Sequence, residues 1–142
     1  MVSNTIVSLY TGDLPTGKNR KISAGPLYPA EDVLGILKGQ QAIVAWTDKA
    51  IKDVQRLALD DCDLLELVEI AVQEGTFKGS EWCVQRPNGP WAACDAYVLV
   101  RTEQLPHLRR EMDCEYYIKF AIGRTGTVFL LASCHLPEDR RF

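Results

Sequence analysis

The pattern of apolar and polar positions changes character partway along the chain. From Ala30 to about Lys38, Val33, Leu34 and Leu37 recur at three- and four-residue spacing behind Glu31 and Asp32. That spacing predicts a first helix with acids in its opening turn and Gly39 as its stop. The run QAIVAW (Gln41–Trp46) has the β-branched and aromatic content of a short strand. Thr47 is a good N-cap for a second helix from Asp48 to about Ala58, whose Ile51, Val54, Leu57 and Ala58 share a face. Asp60 or Asp61 can cap a third helix ending before Gly75. Its stripe is Leu64, Leu65, Leu67, Val68, Ala71 and Val72, with Glu66, Glu69 and Glu74 facing water.

After Gly75 the period shortens to that of strands. Residues 77–85, 93–101, 114–122 and 127–135 read as four strands. Turns are expected at Pro87-Asn88-Gly89-Pro90 and at Gly123–Gly126. Thr102 to Asp113, with Pro106, predicts a polar connector, either a short helix or a long loop. Residues 1–28 are punctuated by Gly12, Pro15, Gly17, Gly25 and Pro26 and predict an irregular extension, with a short strand near Ile6–Tyr10. Pro137 stops the last strand, and the end of the chain frays. Helices followed by a meander argue for an α+β fold. Two to three N-terminal helices (30–75) would pack on one face of a C-terminal antiparallel sheet (76–136) of four or more strands. A chain of 142 residues fits one domain over 1–142.

Composition removes several function classes. No apolar run approaches the roughly 20 residues of a membrane span, so no membrane role is expected. The N-terminus lacks a basic region before an apolar stretch, which points to the cytoplasm. Cys62, Cys83, Cys94, Cys114 and Cys134 form no CxxC, which speaks for small buried residues in a reducing compartment. The net charge of −3 is unevenly spread: residues 1–30 carry +2, residues 31–75 carry −6 and residues 76–142 carry +1. An anionic ligand would avoid the helical third. The cluster Lys18-Asn19-Arg20-Lys21 reads first as a solvated loop and second as a phosphate-gripping arm.

No phosphate loop, dinucleotide fingerprint or HExxH occurs, and His107 and His135 have no ligand set around them, so neither a cofactor nor a metal is expected. The sheet offers more. Strand 114–122 puts Tyr116, Ile118 and Phe120 on one face and Tyr117, Lys119 and Ala121 on the other. The first set packs on the helices. The second presents a phenol and an amine. Closing the last hairpin at Gly123–Gly126 sets His135 opposite Cys114 and Ser133 opposite Tyr116. A one-residue slip would exchange those neighbours, so the face of His135 stays open at this point. Lys78, Arg86 and Arg124 complete the basic candidates. Lys, Tyr, Arg and His on one solvated face can cleave RNA without metal. A base takes the 2′-hydroxyl proton, an acid protonates the leaving 5′-oxygen, and cations steady the phosphorane. A lone strand-end histidine is also, more simply, a solvated bystander, and Tyr117 and Lys119 an ordinary polar strand face.

From about Val33 to His135 the chain resembles the MqsR-type toxins, a branch of the RelE-like bacterial mRNA interferases. The resemblance lies in the stretch from Asp32 to Gln73, in FKGS around Lys78, in the Trp91 to Tyr97 block, in YYIKF with Tyr117 and Lys119, and in the closing VFLLASCH. It implies a RelE-like fold and a metal-free endoribonuclease that blocks translation and is held in check by a cognate antitoxin protein. Carried over, Lys78 and Tyr117 are catalytic, and His135 stands in place of a catalytic lysine. Lys119, Arg86 and Arg124 would bind the substrate RNA. The family's active glutamine has no match here, the nearest residue being Cys94, and this chain is acidic where the family is basic. Two other readings stand beside this one. One is a non-catalytic RNA- or protein-binding module on the same fold. The other is a cysteine enzyme using Cys83 or Cys94.

Overall fold

A computed structural model describes residues 4–39, 42–105 and 110–135. Nine elements follow in order: β1 (Lys21–Ile22), α1 (Ala30–Leu37), β2 (Ala42–Ala45), α2 (Asp48–Leu57), α3 (Asp61–Glu74), β3 (Thr76–Val84), β4 (Trp91–Leu105), β5 (Arg110–Ile122) and β6 (Val128–His135). The α+β class is as expected. Among the described residues there are three helices and one six-stranded sheet in the order β1-β3-β4-β5-β6-β2.

Local chemistry sets the helix ends. Thr47 Oγ1 accepts the Ala50 amide and opens α2. Asp60 and Asp63 form a reciprocal capping box that opens α3. Gly75 closes α3 where backbone crowds it: a Cβ there would lie 2.6 Å from the Ala71 carbonyl oxygen and 2.9 Å from that of Val98. Only glycine lets the chain turn directly from α3 into β3.

α3 lies across one face of the sheet with α1 beside it, burying Val33, Leu64, Leu67, Val68 and Ala71. The sheet meets them with Tyr97, Leu99, Ile118, Phe120, Phe129 and Leu131. Phe120 is the hub, with ring centroids of Tyr97, Tyr28 and Phe129 at 6.1, 6.5 and 5.9 Å. Asp95 is wholly buried nearby. Its carboxylate accepts the Leu27 and Tyr28 amides, both at 3.0 Å, and the Ser80 hydroxyl at 2.6 Å. It thereby fastens the segment before α1 onto the sheet.

Four expectations change. The sheet is mixed, because β2 pairs parallel with β6, from Ala42↔Val128 to Ala45↔Leu131. β6 is apolar on both faces and needs backbone partners on both edges. β2 supplies them at one edge, and its direction carries the chain into α2 along the same edge. There the Cys134 amide donates to Asp53, so α2 lies at the sheet edge rather than on the face. The polar connector at 102–113 is largely strand: β4 and β5 pair as far as Leu105↔Arg110, while 106–109, with His107, lie outside the described residues. Backbone pairing, which composition does not report, holds this long hairpin. The N-terminal extension is partly ordered into the sheet. β1 pairs with β3, and residues 5–9 bridge the splayed ends of β4 and β5 through Val7 to Trp91, Trp91 to Thr5 and Leu9 to Ile122. The strand expected near Ile6–Tyr10 is there as two isolated bridges, Ile6↔Trp91 and Ser8↔Gly123. The fourth change is the register of the last hairpin, which decides the site.

Candidate functional site

From Ile122↔Phe129 to Phe120↔Leu131 the β5–β6 ladder is regular. Ala132 is then left without a partner, and pairing resumes at Lys119↔Ser133 and Tyr117↔His135. His135 is therefore opposite Tyr117, not Cys114, and Ser133 is opposite Lys119, not Tyr116. One extra residue in a ladder moves every following side chain to the other face. The bulge is fixed from outside: Thr47 Oγ1 donates to the Ala132 carbonyl at 2.7 Å, and the Trp46 amide donates to that of Leu131.

The consequence is a cluster on the sheet face away from α3. Tyr117 and His135 stack with centroids 5.4 Å apart and planes within 8°. The row Gly79–Ala96–Lys119–Ser133 lies beside the row Thr76–Val98–Tyr117–His135. Lys119 reaches across β4 to form an ion pair with Glu81. Burial, the largest influence on Lys119, pushes its pKa down, but the charges of Cys83 and Glu81 push it up and prevail, so the ammonium persists. Ser133 Oγ is buried with no hydrogen-bond partner among the described residues. A buried hydroxyl in that condition is an opening for a ligand oxygen or a water.

Lys78 is exposed and sits at a bulge in β3 between these two rows, two strands from β5. That is about 10 Å of sheet, more than a lysine side chain spans, so Lys78 borders the cluster without touching it. Arg86 and Arg124 do not join the cluster. They occupy the β3–β4 and β5–β6 turns, on the order of 20 Å along the strands from Tyr117. Arg124 is turned to the Ile6 carbonyl and Arg86 to Gln85. They are out of range of any group bound beside Tyr117. The structure thus gathers Tyr117, His135 and Lys119, keeps Lys78 near, and removes the two arginines.

Sequence reasoning missed Glu81, Ser133 and Cys83 as members of this face. The alternation of strand 77–85 contained the signal for Glu81 and Cys83. Ser133 needed the bulge. Cys94 is fully buried, and Cys83 is partly so, at the edge of a cavity. Among the described residues, neither is placed beside a histidine by a strand pairing. Cys134 lies on the core side, its thiol pushed up to about 12 by burial and then by the Asp53 charge. Among the described residues no group of three or more His, Cys, Asp or Glu side chains could hold a metal ion, and no helix is long and apolar enough to cross a membrane.

No protein-family model, curated protein or solved structure matches this chain.

Proposed function

We propose that the chain is an MqsR-type toxin on a RelE-like scaffold: a cytoplasmic, metal-independent endoribonuclease that cuts mRNA and is restrained by a cognate antitoxin. The observation that carries this reading is the Tyr117–His135 stack beside Lys119, set on an open sheet face by the bulge at Ala132. RNA brings its own nucleophile. The His135 imidazole, whose residue type exchanges protons near neutral pH, takes the 2′-hydroxyl proton. The 2′-oxygen then attacks phosphorus, the bond to the 5′-oxygen breaks, and Tyr117 protonates the leaving oxygen. Lys119 and Lys78 balance the charge gathering on the non-bridging oxygens. Ser133 Oγ is a further donor for one of them.

A binding module without catalysis is the second reading. It is favoured by the Lys119–Glu81 ion pair, which occupies a cation beside the stack, and by the acidic helices, which would suit a basic partner. One experiment separates the two. The chain is induced alone in a bacterial host beside His135→Ala and Lys78→Ala at equal soluble levels, and RNA ends are mapped. Arrest and new RNA ends with the parent, lost in both variants, support the toxin. Normal growth and intact RNA with folded, soluble parent refute it.

A further inference from the structure

A second site borders the first and shares Lys119 and Glu81 with it, but its chemistry centres on a thiol. Between the start of α2 and the middle of β3 lies a cavity of about 210 Å³, lined among others by Arg20, Lys49, Glu81, Cys83 and Lys119. Three cations line it with one carboxylate and one thiol; Lys119 is ion-paired with Glu81 and Lys49 with Asp53, so Arg20 carries most of the uncompensated charge. Arg20 belongs to the basic cluster of the N-terminal extension, and its guanidinium lies 5.1 Å above the Trp91 ring. The ladder places Cys94 diagonally from Cys83, since Glu81 pairs with Cys94 and Cys83 with Ala92. Both thiols are on the same face of the sheet.

We propose that Cys83 is a reactive thiol site for small anionic disulfides, received by Arg20, Lys49 and Lys119, and that it forms a stable mixed disulfide. The Cys83 thiolate attacks one sulfur of the incoming disulfide. A Cys83 Sγ–S bond forms, the original S–S bond breaks, and the other half leaves as a thiolate that takes a proton from water. Cys83 is oxidised and the departing half is reduced, so the electrons balance. The Cys83 thiol pKa is lowered, first by its neighbour Cys94 and then by the charge of Lys119, against the opposing effect of burial. Cys94 is pushed the other way, first by Cys83 and then by burial, and stays a thiol.

Two features choose this chemistry over its rivals. No group of three or more His, Cys, Asp or Glu side chains gathers here among the described residues, so the two thiols do not make a metal site. Diagonal residues on paired strands have Cα atoms roughly 7–8 Å apart, beyond the roughly 4.4–6.8 Å that a disulfide spans. The two thiols touch, but closing a bond between them requires the backbone to shift, and Cys94 is held protonated and is a poor nucleophile, so the mixed disulfide persists.

The test uses the folded full chain, with adducts located by peptide mass spectrometry over time. Glutathione disulfide is the anionic probe and cystamine the cationic one. Cys62 is the internal reference: it is exposed and flanked by Asp60, Asp61 and Asp63. With glutathione disulfide, Cys83 should gain a glutathionyl group about tenfold faster than Cys62, the low end of what a charged cleft adds to an encounter rate. With cystamine the order should reverse. Arg20→Gln and Lys119→Gln should each slow the first reaction and leave Cys62 unchanged. Arg20 is exposed, so its variant serves if Lys119→Gln does not fold. The proposal is overturned if Cys83 lags Cys62 with glutathione disulfide, if Arg20→Gln changes nothing, or if an internal Cys83–Cys94 disulfide accumulates instead. None of these readouts involves RNA.

Discussion

Replacing Asp95 by alanine should loosen the N-terminal third while leaving the sheet paired. The carboxylate is wholly buried and takes three donors: the Leu27 and Tyr28 amides and the Ser80 hydroxyl. Ser80 can rotate to another acceptor, but the two amides cannot. Each buried N–H left without a partner costs about 1–3 kcal/mol. Asp95→Ala should therefore cost about 3–5 kcal/mol, a large share of the roughly 5–15 kcal/mol that holds a domain together. Asp95→Asn keeps one oxygen, which can serve Leu27 and Ser80, but turns an NH2 toward the Tyr28 amide. It should cost about half as much, since one donor rather than two is stranded. Urea denaturation gives the magnitudes, provided the slope against denaturant is unchanged. Amide hydrogen exchange gives the location: Leu27 and Tyr28 should lose protection while Ile118 and Phe120 keep theirs. A cost under about 1 kcal/mol for Asp95→Ala, or unaltered protection at Leu27 and Tyr28, would refute the assignment of Asp95 as the anchor.

Further outcomes follow from other parts of the fold. Ala58 ends α2 in the left-handed conformation at φ 54°, exposed, so Ala58→Gly should raise stability by about 1 kcal/mol in urea denaturation. Cys134, with its thiol pushed up to about 12, should resist iodoacetamide at pH 8 until the chain unfolds, so its labelling rate should track global unfolding in urea. Lys119 has its pKa raised by folding, so the ion pair with Glu81 contributes stability below the ordinary lysine range and loses it as pH rises through the folded value. Glu81→Gln should accordingly narrow the stability gap between neutral and strongly alkaline pH, read by thermal melts across that range. Thr47→Val removes both the α2 cap and the bond to Ala132, and should cost about 1–2 kcal/mol. The same variant should weaken the ring-current shift that Tyr117 imposes on the His135 ring protons.

Much of the fold was legible in the sequence because its signals are local. Thr47, Asp60 and Gly75 mark helix ends by their own hydrogen-bonding or steric properties. The alternation of Tyr116, Ile118 and Phe120 against Tyr117 and Lys119 correctly separated the core face from the open one. What stayed hidden depends on partners distant in sequence. Nothing within QAIVAW says that it will pair parallel to β6. Nothing within Thr102–Asp113 says that most of this polar stretch will pair as strand. Asp95 reads as an ordinary charge in a strand until the Leu27–Tyr28 backbone, far away in the chain, arrives to bind it.

The candidate site was legible in its residue types and not in its arrangement, and the reason is a single residue. Carry the regular pairing of Ile122↔Phe129 onward without interruption, and Cys134 falls beside Tyr117 while His135 falls beside Tyr116, on the side of the core. The unpaired Ala132 exchanges them. It sends Cys134 inward, where its thiol is buried, and brings His135 out to stack on Tyr117. A bulge interrupts the ladder, so it persists only if something else satisfies the displaced backbone. Thr47 does so from the start of α2, with a hydroxyl that caps the helix through its oxygen and holds the Ala132 carbonyl through its proton. The cap seen in the sequence as a helix signal is thus also what aims the histidine. The position of the proposed proton carrier is set by a residue on a different element, and strand periodicity by itself could not have shown it.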